Sequence, residues 1–166
     1  LNADLKQQLK QLLELMEGDV EFVASLGSDD KSKELKELLD EVADMSAHIT
    51  VTEKSLKRTP SFSVNRPGEE TGITFAGIPL GHEFNSLVLA ILQVSGRAPK
   101  EQQSVIDQIK GLEGSFNFET YVSLTCQKCP DVVQALNLMS VINPNITHTM
   151  IDGAVFREES ENIMAV

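Results

Sequence analysis

The sequence predicts an α/β protein of two tandem lobes, residues 1–98 and 99–166, the second incomplete at its C-terminal end. Three observations carry this expectation. Short runs with apolar residues at period two alternate with longer runs at helical spacing, as strands alternate with helices. The order strand, helix, strand, hairpin, helix fills the first lobe, begins again in the second and stops partway. The only two cysteines, Cys126 and Cys129, stand where a strand of the second lobe turns into a helix.

Composition bounds the rest. A length of 166 residues with 41% hydrophobic content suits one domain or two small packed lobes. The first residues, Leu1 to Lys10, are charged and amphipathic rather than signal-like, and no apolar run approaches a membrane span. The expectation is a cytoplasmic protein that engages no membrane. A net charge of −11 argues against nucleic acid and anionic lipid surfaces, and its plainest meaning is solubility. The sequon Asn145-Ile146-Thr147 carries no meaning without a secretory signal.

In chain order, the first helix takes Asn2 as N-cap, places Leu5, Leu9, Leu12, Leu13 and Met16 on one stripe, and closes at Gly18. Val20 to Leu26 reads as a strand. A helix follows from Asp29, acidic in its first turn as the macrodipole favours, with Leu35, Leu38, Leu39, Val42 and Met45 inward. His48 to Thr52 alternates as a strand. Ser61 to Val64 and Ile73 to Gly77, joined around Pro67-Gly68, read as a hairpin. A leucine-rich helix spans Gly81 to Val94 and stops at Gly96. The second lobe opens with a helix from Pro99 to Lys110. A strand over 116–123 follows, with Phe116, Phe118, Thr120 and Val122 on one face. The helix after the cysteines turns Val132, Val133, Leu136, Met139 and Ile142 inward and ends near Asn143-Pro144. Ile146 to Ile151 is a strand, and a short acidic helix runs toward Met164.

The element order of residues 1–98 is that of a complete thioredoxin-like fold without a dithiol, and the second lobe carries the dithiol without its closing hairpin and final helix. The Cys-x-x-Cys spacing at a strand-to-helix turn is the context of a thioredoxin-like redox motif. Pro130 is tolerated there because a first-turn residue has no intrahelical N–H bond to lose. A thiolate is the attacking species, and the free N–H groups of a helix N-terminus stabilise it. Cys126 is therefore the expected nucleophile and Cys129 the resolving thiol. Lys128 favours the thiolate and Asp131 opposes it. Three other readings are open: unrelated core cysteines, half of a zinc site completed by His148 or His82, and a static disulfide. A structural zinc site usually shows a second close ligand pair, which the sequence lacks, and a reducing cytosol disfavours the last.

The chain resembles the N-terminal domain of the flavoprotein subunit of bacterial alkyl hydroperoxide reductase, the NADH:peroxiredoxin reductase. The resemblance rests on Phe75-Ala76-Gly77-Ile78-Pro79-Leu80-Gly81-His82-Glu83-Phe84, on Phe116 to Pro130, and on Asp131-Val132-Val133-Gln134-Ala135-Leu136-Asn137-Leu138-Met139, and covers essentially the whole chain. It implies two tandem thioredoxin-like lobes that relay electrons. They pass from NADH to FAD and to a dithiol in the flavoprotein part, then to Cys126 and Cys129, and then to the disulfide of a two-cysteine peroxiredoxin. No cofactor is expected in this chain, which has no GxGxxG and no room for flavin or nicotinamide domains. The resemblance also places Glu83, from the first lobe, near the dithiol. A carboxylate there tunes proton transfer or thiol pKa; the plainer reading is a glutamate near a helix N-terminus, favoured by the dipole. The family continues just past Val166 with a cis proline that packs on the dithiol, and Pro60 is its first-lobe counterpart. Two alternatives stand beside the relay: a free-standing glutaredoxin-like disulfide oxidoreductase and a non-catalytic interaction domain.

Overall fold

The computed structural model describes residues 1–164, so the expectation attached to the chain past Val166 lies outside the described residues. Six strands form one mixed sheet in the order β2-β1-β3-β4-β6-β5. The strands are β1 (Val20–Ser25), β2 (Ile49–Glu53), β3 (Ser61–Asn65), β4 (Ile73–Ala76), β5 (Phe116–Val122) and β6 (Ile146–Asp152). The helices are α1 (Ala3–Leu13), α2 (Asp30–Asp44), α3 (Phe84–Val94), α4 (Gln103–Lys110), α5 (Cys129–Ile142) and α6 (Arg157–Met164).

The chain makes two parallel crossovers. β1 passes through α2 to the parallel β2, and β5 passes through α5 to the parallel β6. The expected hairpin forms from β3 and β4. β4 then pairs in parallel with β6, from Ile73 opposite His148 to Ala76 opposite Ile151, and makes the sheet continuous. Alternation decides the layers. Phe22, Phe62, Val64, Ile73, Phe75 and Met150 share a single buried core with Leu35 and Leu39 of α2, Leu87 and Ile91 of α3, and Val133 of α5. Phe62 sits at the centre of an aromatic row, edge-on to Phe22 and stacked on Phe75, both at 5.4 Å between centroids.

Local signals set most boundaries. The Asn2 side chain accepts from the Leu5 N–H at 2.8 Å and starts α1. Asp29 accepts from the Ser32 N–H and hydroxyl and starts α2. Four expectations need correction. α1 ends at Leu13 rather than Gly18, because only Leu9 and Leu13 reach the core; Leu12 and Leu15 stay exposed. α4 starts at Gln103 rather than Pro99, since Gln102 is extended and forms the helix start. Phe116 is 38% exposed, because β5 is the sheet edge. The buried face of α5 consists of Val133, Asn137 and Ser140, while Val132 is 51% exposed. That helix is apolar around most of its circumference, so periodicity alone picks no face.

Candidate functional site

The turn from β5 into α5 is built around its two cysteines. The Cys126 N–H donates to the Ser123 carbonyl at 3.0 Å, and the Ser123 and Thr125 hydroxyls meet at 2.9 Å. Cys126 and Cys129 are joined in a disulfide with 5.5 Å between their Cα atoms. Lys128 precedes the helix without capping it by its side chain, and Pro130 occupies the first turn. The helix start instead turns a backbone donor on sulfur: the Cys129 N–H points at Cys126 Sγ, 3.2 Å away. Both cysteines are half-buried, and Cys129 packs against the core. This hydrogen bond, rather than any difference in exposure, distinguishes Cys126 as the sulfur whose negative charge the helix would stabilise. Lys128 and Asp131 are both exposed, where solvent screens their opposing charges.

The first lobe reaches this turn through a short 3-10 segment, Gly81–Glu83. The His82 N–H donates to the Leu124 carbonyl at 3.0 Å. Gly81 has φ of +58°, and a Cβ there would lie 2.8 Å from that same carbonyl oxygen, so only glycine fits. Glu83 follows and is entirely buried. Its Oε1 accepts from the Ser86 hydroxyl at 2.7 Å, and Ser86 Oγ in turn accepts from Gln134 Nε2 of α5 at 3.1 Å. Burial pushes the Glu83 carboxyl above the usual carboxylate range, against the opposing pull of the Ser86 hydrogen bond and the His82 charge. His82 itself is exposed.

His148 occupies a different place from the one a zinc site requires. It is fully buried under α5, with Nδ1 2.7 Å from Asn137 Oδ1 and Nε2 2.8 Å from Thr120 Oγ1. A carbonyl oxygen at Nδ1 makes that nitrogen the donor, so Nε2 accepts from Thr120. Burial pushes its pKa down to about 4 and keeps the ring neutral. Both nitrogens are thus engaged inside the protein. Among the described residues no group of three or more metal-ligating side chains converges. Pro60, after a cis peptide bond from Thr59, is buried, and its carbonyl accepts from the Gly77 N–H at 3.0 Å.

Sequence reasoning missed a second polar cluster. Arg58, from the loop before β3, grips Glu159 of α6 through two nitrogens and Glu119 of β5 at 2.6 Å. The Tyr121 hydroxyl donates to Glu159 at 2.5 Å. These bonds hold the Glu159 carboxyl down to about 2. Partners so distant in sequence leave no local signature. Ser86, three residues after Glu83, was within reach of helical spacing; Gln134 was not. Beside the dithiol turn lies a cleft lined by Val122, Leu124, Thr125, Val155 and Ile163, with Lys31 at its edge. Among the described residues no helix is long and apolar enough to cross a membrane.

A flavin or nicotinamide pyrophosphate finds no cradle at the other helix start. The β1–α2 turn presents Asp29 as its cap and Asp30 in its first turn, carboxylates where a phosphate needs free N–H groups.

No protein-family profile matches the chain. Among curated proteins it is 93% identical to the F subunit of alkyl hydroperoxide reductase of Staphylococcus epidermidis over 166 residues, all of this chain and 33% of that protein. It is 89% identical to the corresponding protein of Staphylococcus aureus over the same share. The chain thus spans about a third of the length of the curated relatives it matches. Among solved structures it superposes on the N-terminal domain of alkylhydroperoxide reductase AhpF from Enterococcus faecalis with a TM-score of 0.90 and 32% identity, covering 98% of this chain and 84% of that one. A protein disulfide oxidoreductase from Aeropyrum pernix, at 18% identity and a TM-score of 0.82, shares the fold. An α/β sheet of tandem thioredoxin-like halves, a disulfide at a helix start and these relatives agree: the chain belongs to the AhpF family of alkyl hydroperoxide reductase flavoproteins, as its N-terminal domain.

Proposed function

We propose that this domain is a cytoplasmic dithiol relay, and the Cys129 N–H directed at Cys126 Sγ is the observation that supports it most. Residues 1–98 serve as the lobe without a dithiol and residues 99–166 as the lobe that carries it. The redox step is two-electron thiol–disulfide exchange. A dithiol in the flavoprotein part of the parent protein, where FAD and NADH would act, reduces Cys126–Cys129. The Cys126 thiolate then attacks one sulfur of the disulfide of a two-cysteine peroxiredoxin. A new S–S bond forms to Cys126, the partner's own S–S bond breaks, and its departing thiolate takes a proton. The Cys129 thiolate attacks Cys126 Sγ, re-forms the Cys126–Cys129 bond and releases the partner's second thiolate. Two electrons leave this pair and two arrive at the partner. Glu83 serves as the carboxylate that handles protons beside the exchange. The cleft next to Leu124 and Thr125 is the natural seat for the partner segment that carries the disulfide.

Replacing the resolving thiol tests the order of attack. The Cys129→Ser variant, mixed with oxidised peroxiredoxin, is expected to stall as a covalent one-to-one adduct through Cys126, visible on a non-reducing gel and cleaved by dithiothreitol. Accumulation of that adduct with Cys126→Ser instead would reverse the assignment.

A further inference from the structure

Glu83 is held by one oxygen only. Ser86 donates its single hydroxyl proton to Glu83 Oε1 at 2.7 Å, and its oxygen accepts from Gln134 Nε2 at 3.1 Å. Oε2 is buried without a partner among the described residues. Glu83 and Ser86 lie at the start of α3, whereas Gln134 lies on α5, whose first residue is Cys129. The chain of two hydrogen bonds therefore links a buried first-lobe carboxylate to the dithiol helix. A glutamine at position 83 would accept from Ser86 equally well and bury no charge, so what a carboxylate adds here is its ability to hold or release a proton.

Building on the relay reading above, we propose that Ser86 and Gln134 are positioning residues that hold Glu83 by one oxygen, tie it to the dithiol helix and leave Oε2 free to exchange protons. The need for such an atom follows from balance. Reducing the Cys126–Cys129 bond takes two electrons, supplied by the flavoprotein dithiol, and up to two protons, and the thiols return both when the partner disulfide is reduced. The surroundings leave few competitors. His82, on the same turn, is the charged group that acts on Glu83. α3 contributes the neutral Ser86 and α5 the neutral Gln134, while Lys128 and Asp131 at the start of α5 are exposed. Burial, which raises the Glu83 pKa, moves its titration toward the range in which thiols ionise.

The test reads Glu83 itself. In the full chain, the titration of its side-chain carboxyl carbon is followed by NMR, alongside the pH dependence of the midpoint potential of the Cys126–Cys129 pair. Ser86→Ala removes the donor that favours the charged form, so the Glu83 titration is expected to rise by about one pH unit. The bend in the potential–pH plot is expected to move with it. Ser86→Thr restores both, and Gln134→Leu shifts both in the same direction by less. Gln134 is half-buried and tolerates replacement, so the test survives should Ser86→Ala fail to fold. A Glu83 titration and a potential bend that stay in place in the folded variants would overturn the proposal. The outcome is independent of the relay: shifts without transfer to a peroxiredoxin support the positioning and sink the relay, and transfer without shifts does the reverse.

Discussion

Two strand-to-helix turns open the two parallel crossovers of this sheet, and they use their helix N-termini differently. At the start of α2, Asp29 accepts from the Ser32 N–H at 3.2 Å and from the Ser32 hydroxyl at 2.6 Å, so a side-chain carboxylate satisfies the helix. At the start of α5 no side chain caps the helix among the described residues, and the Cys129 N–H is directed at Cys126 Sγ instead. The first arrangement secures stability, since a cap of this kind contributes about 1 kcal/mol. The second gives up a cap and leaves donors for a sulfur that must change charge during exchange. The same contrast runs beneath the helices. α2 lays Leu35, Leu38, Leu39 and Val42 on the sheet, whereas α5 lays Val133 beside Asn137 and Ser140, with Asn137 bonded to His148.

Exchange the roles of the two turns and the contrast is tested at its strongest. Cys126→Ser is expected to reduce disulfide transfer to background while the thermal midpoint changes little. Asp29→Ala is expected to keep transfer at the wild-type rate and lose about 1 kcal/mol in urea denaturation. A transfer defect in Asp29→Ala would show that the first lobe's turn does more than hold its helix.

Acid sharpens the comparison between the layers beneath. The neutral His148 ring, with its pKa pushed down to about 4, must refuse a proton that the unfolded chain accepts near pH 6.5. The unfolded state therefore binds the extra proton over that window, and stability falls as pH drops from about 6.5 to about 4, by up to about 3 kcal/mol. Glu159 acts lower, where its carboxyl, held down to about 2, loses its Arg58 bonds on protonation. Hydrogen exchange at pH 4.5 is expected to expose β5 and β6 amides before those of β1 and β3. Equal protection of all four strands at that pH would contradict a polar seam confined to the dithiol side.

A smaller effect concerns the contact between the lobes. Gly81→Ala would place a Cβ 2.8 Å from the Leu124 carbonyl at a φ of +58°, at a cost of about 2 kcal/mol. Because that carbonyl precedes Cys126 by two residues, the variant is also expected to alter the rate at which iodoacetamide labels reduced Cys126. Labelling at the wild-type rate with stability lost would confine Gly81 to packing.

Local chemistry explains which of these features the sequence discloses. Asn2 and Asp29 act within three residues of their own backbone partners, so both caps were legible. The hairpin and the dithiol turn were legible for the same reason, each being fixed by short-range pattern. The buried face of α5 was not, because Val132, Leu136 and Met139 offer an apolar stripe as plausible as the one through Val133. The Thr120–His148–Asn137 seam and the Arg58 cluster join residues from separate strands and helices, and only the register of β5 on β6 and the placing of α6 bring them together. Glu83 lay between these cases. Its place at a helix start was readable, but its complete burial depends on α5 closing over it.

The relay is tested most directly by a single turnover. The domain is reduced, freed of reductant and mixed with an oxidised two-cysteine peroxiredoxin, and alkylatable thiols are counted on each partner over time. The account predicts that thiols disappear from Cys126 and Cys129 as two appear on the peroxiredoxin, far faster than insulin disulfides are reduced under the same conditions. Equal rates toward insulin and the peroxiredoxin would contradict a specific relay and mark the domain as a general disulfide oxidoreductase.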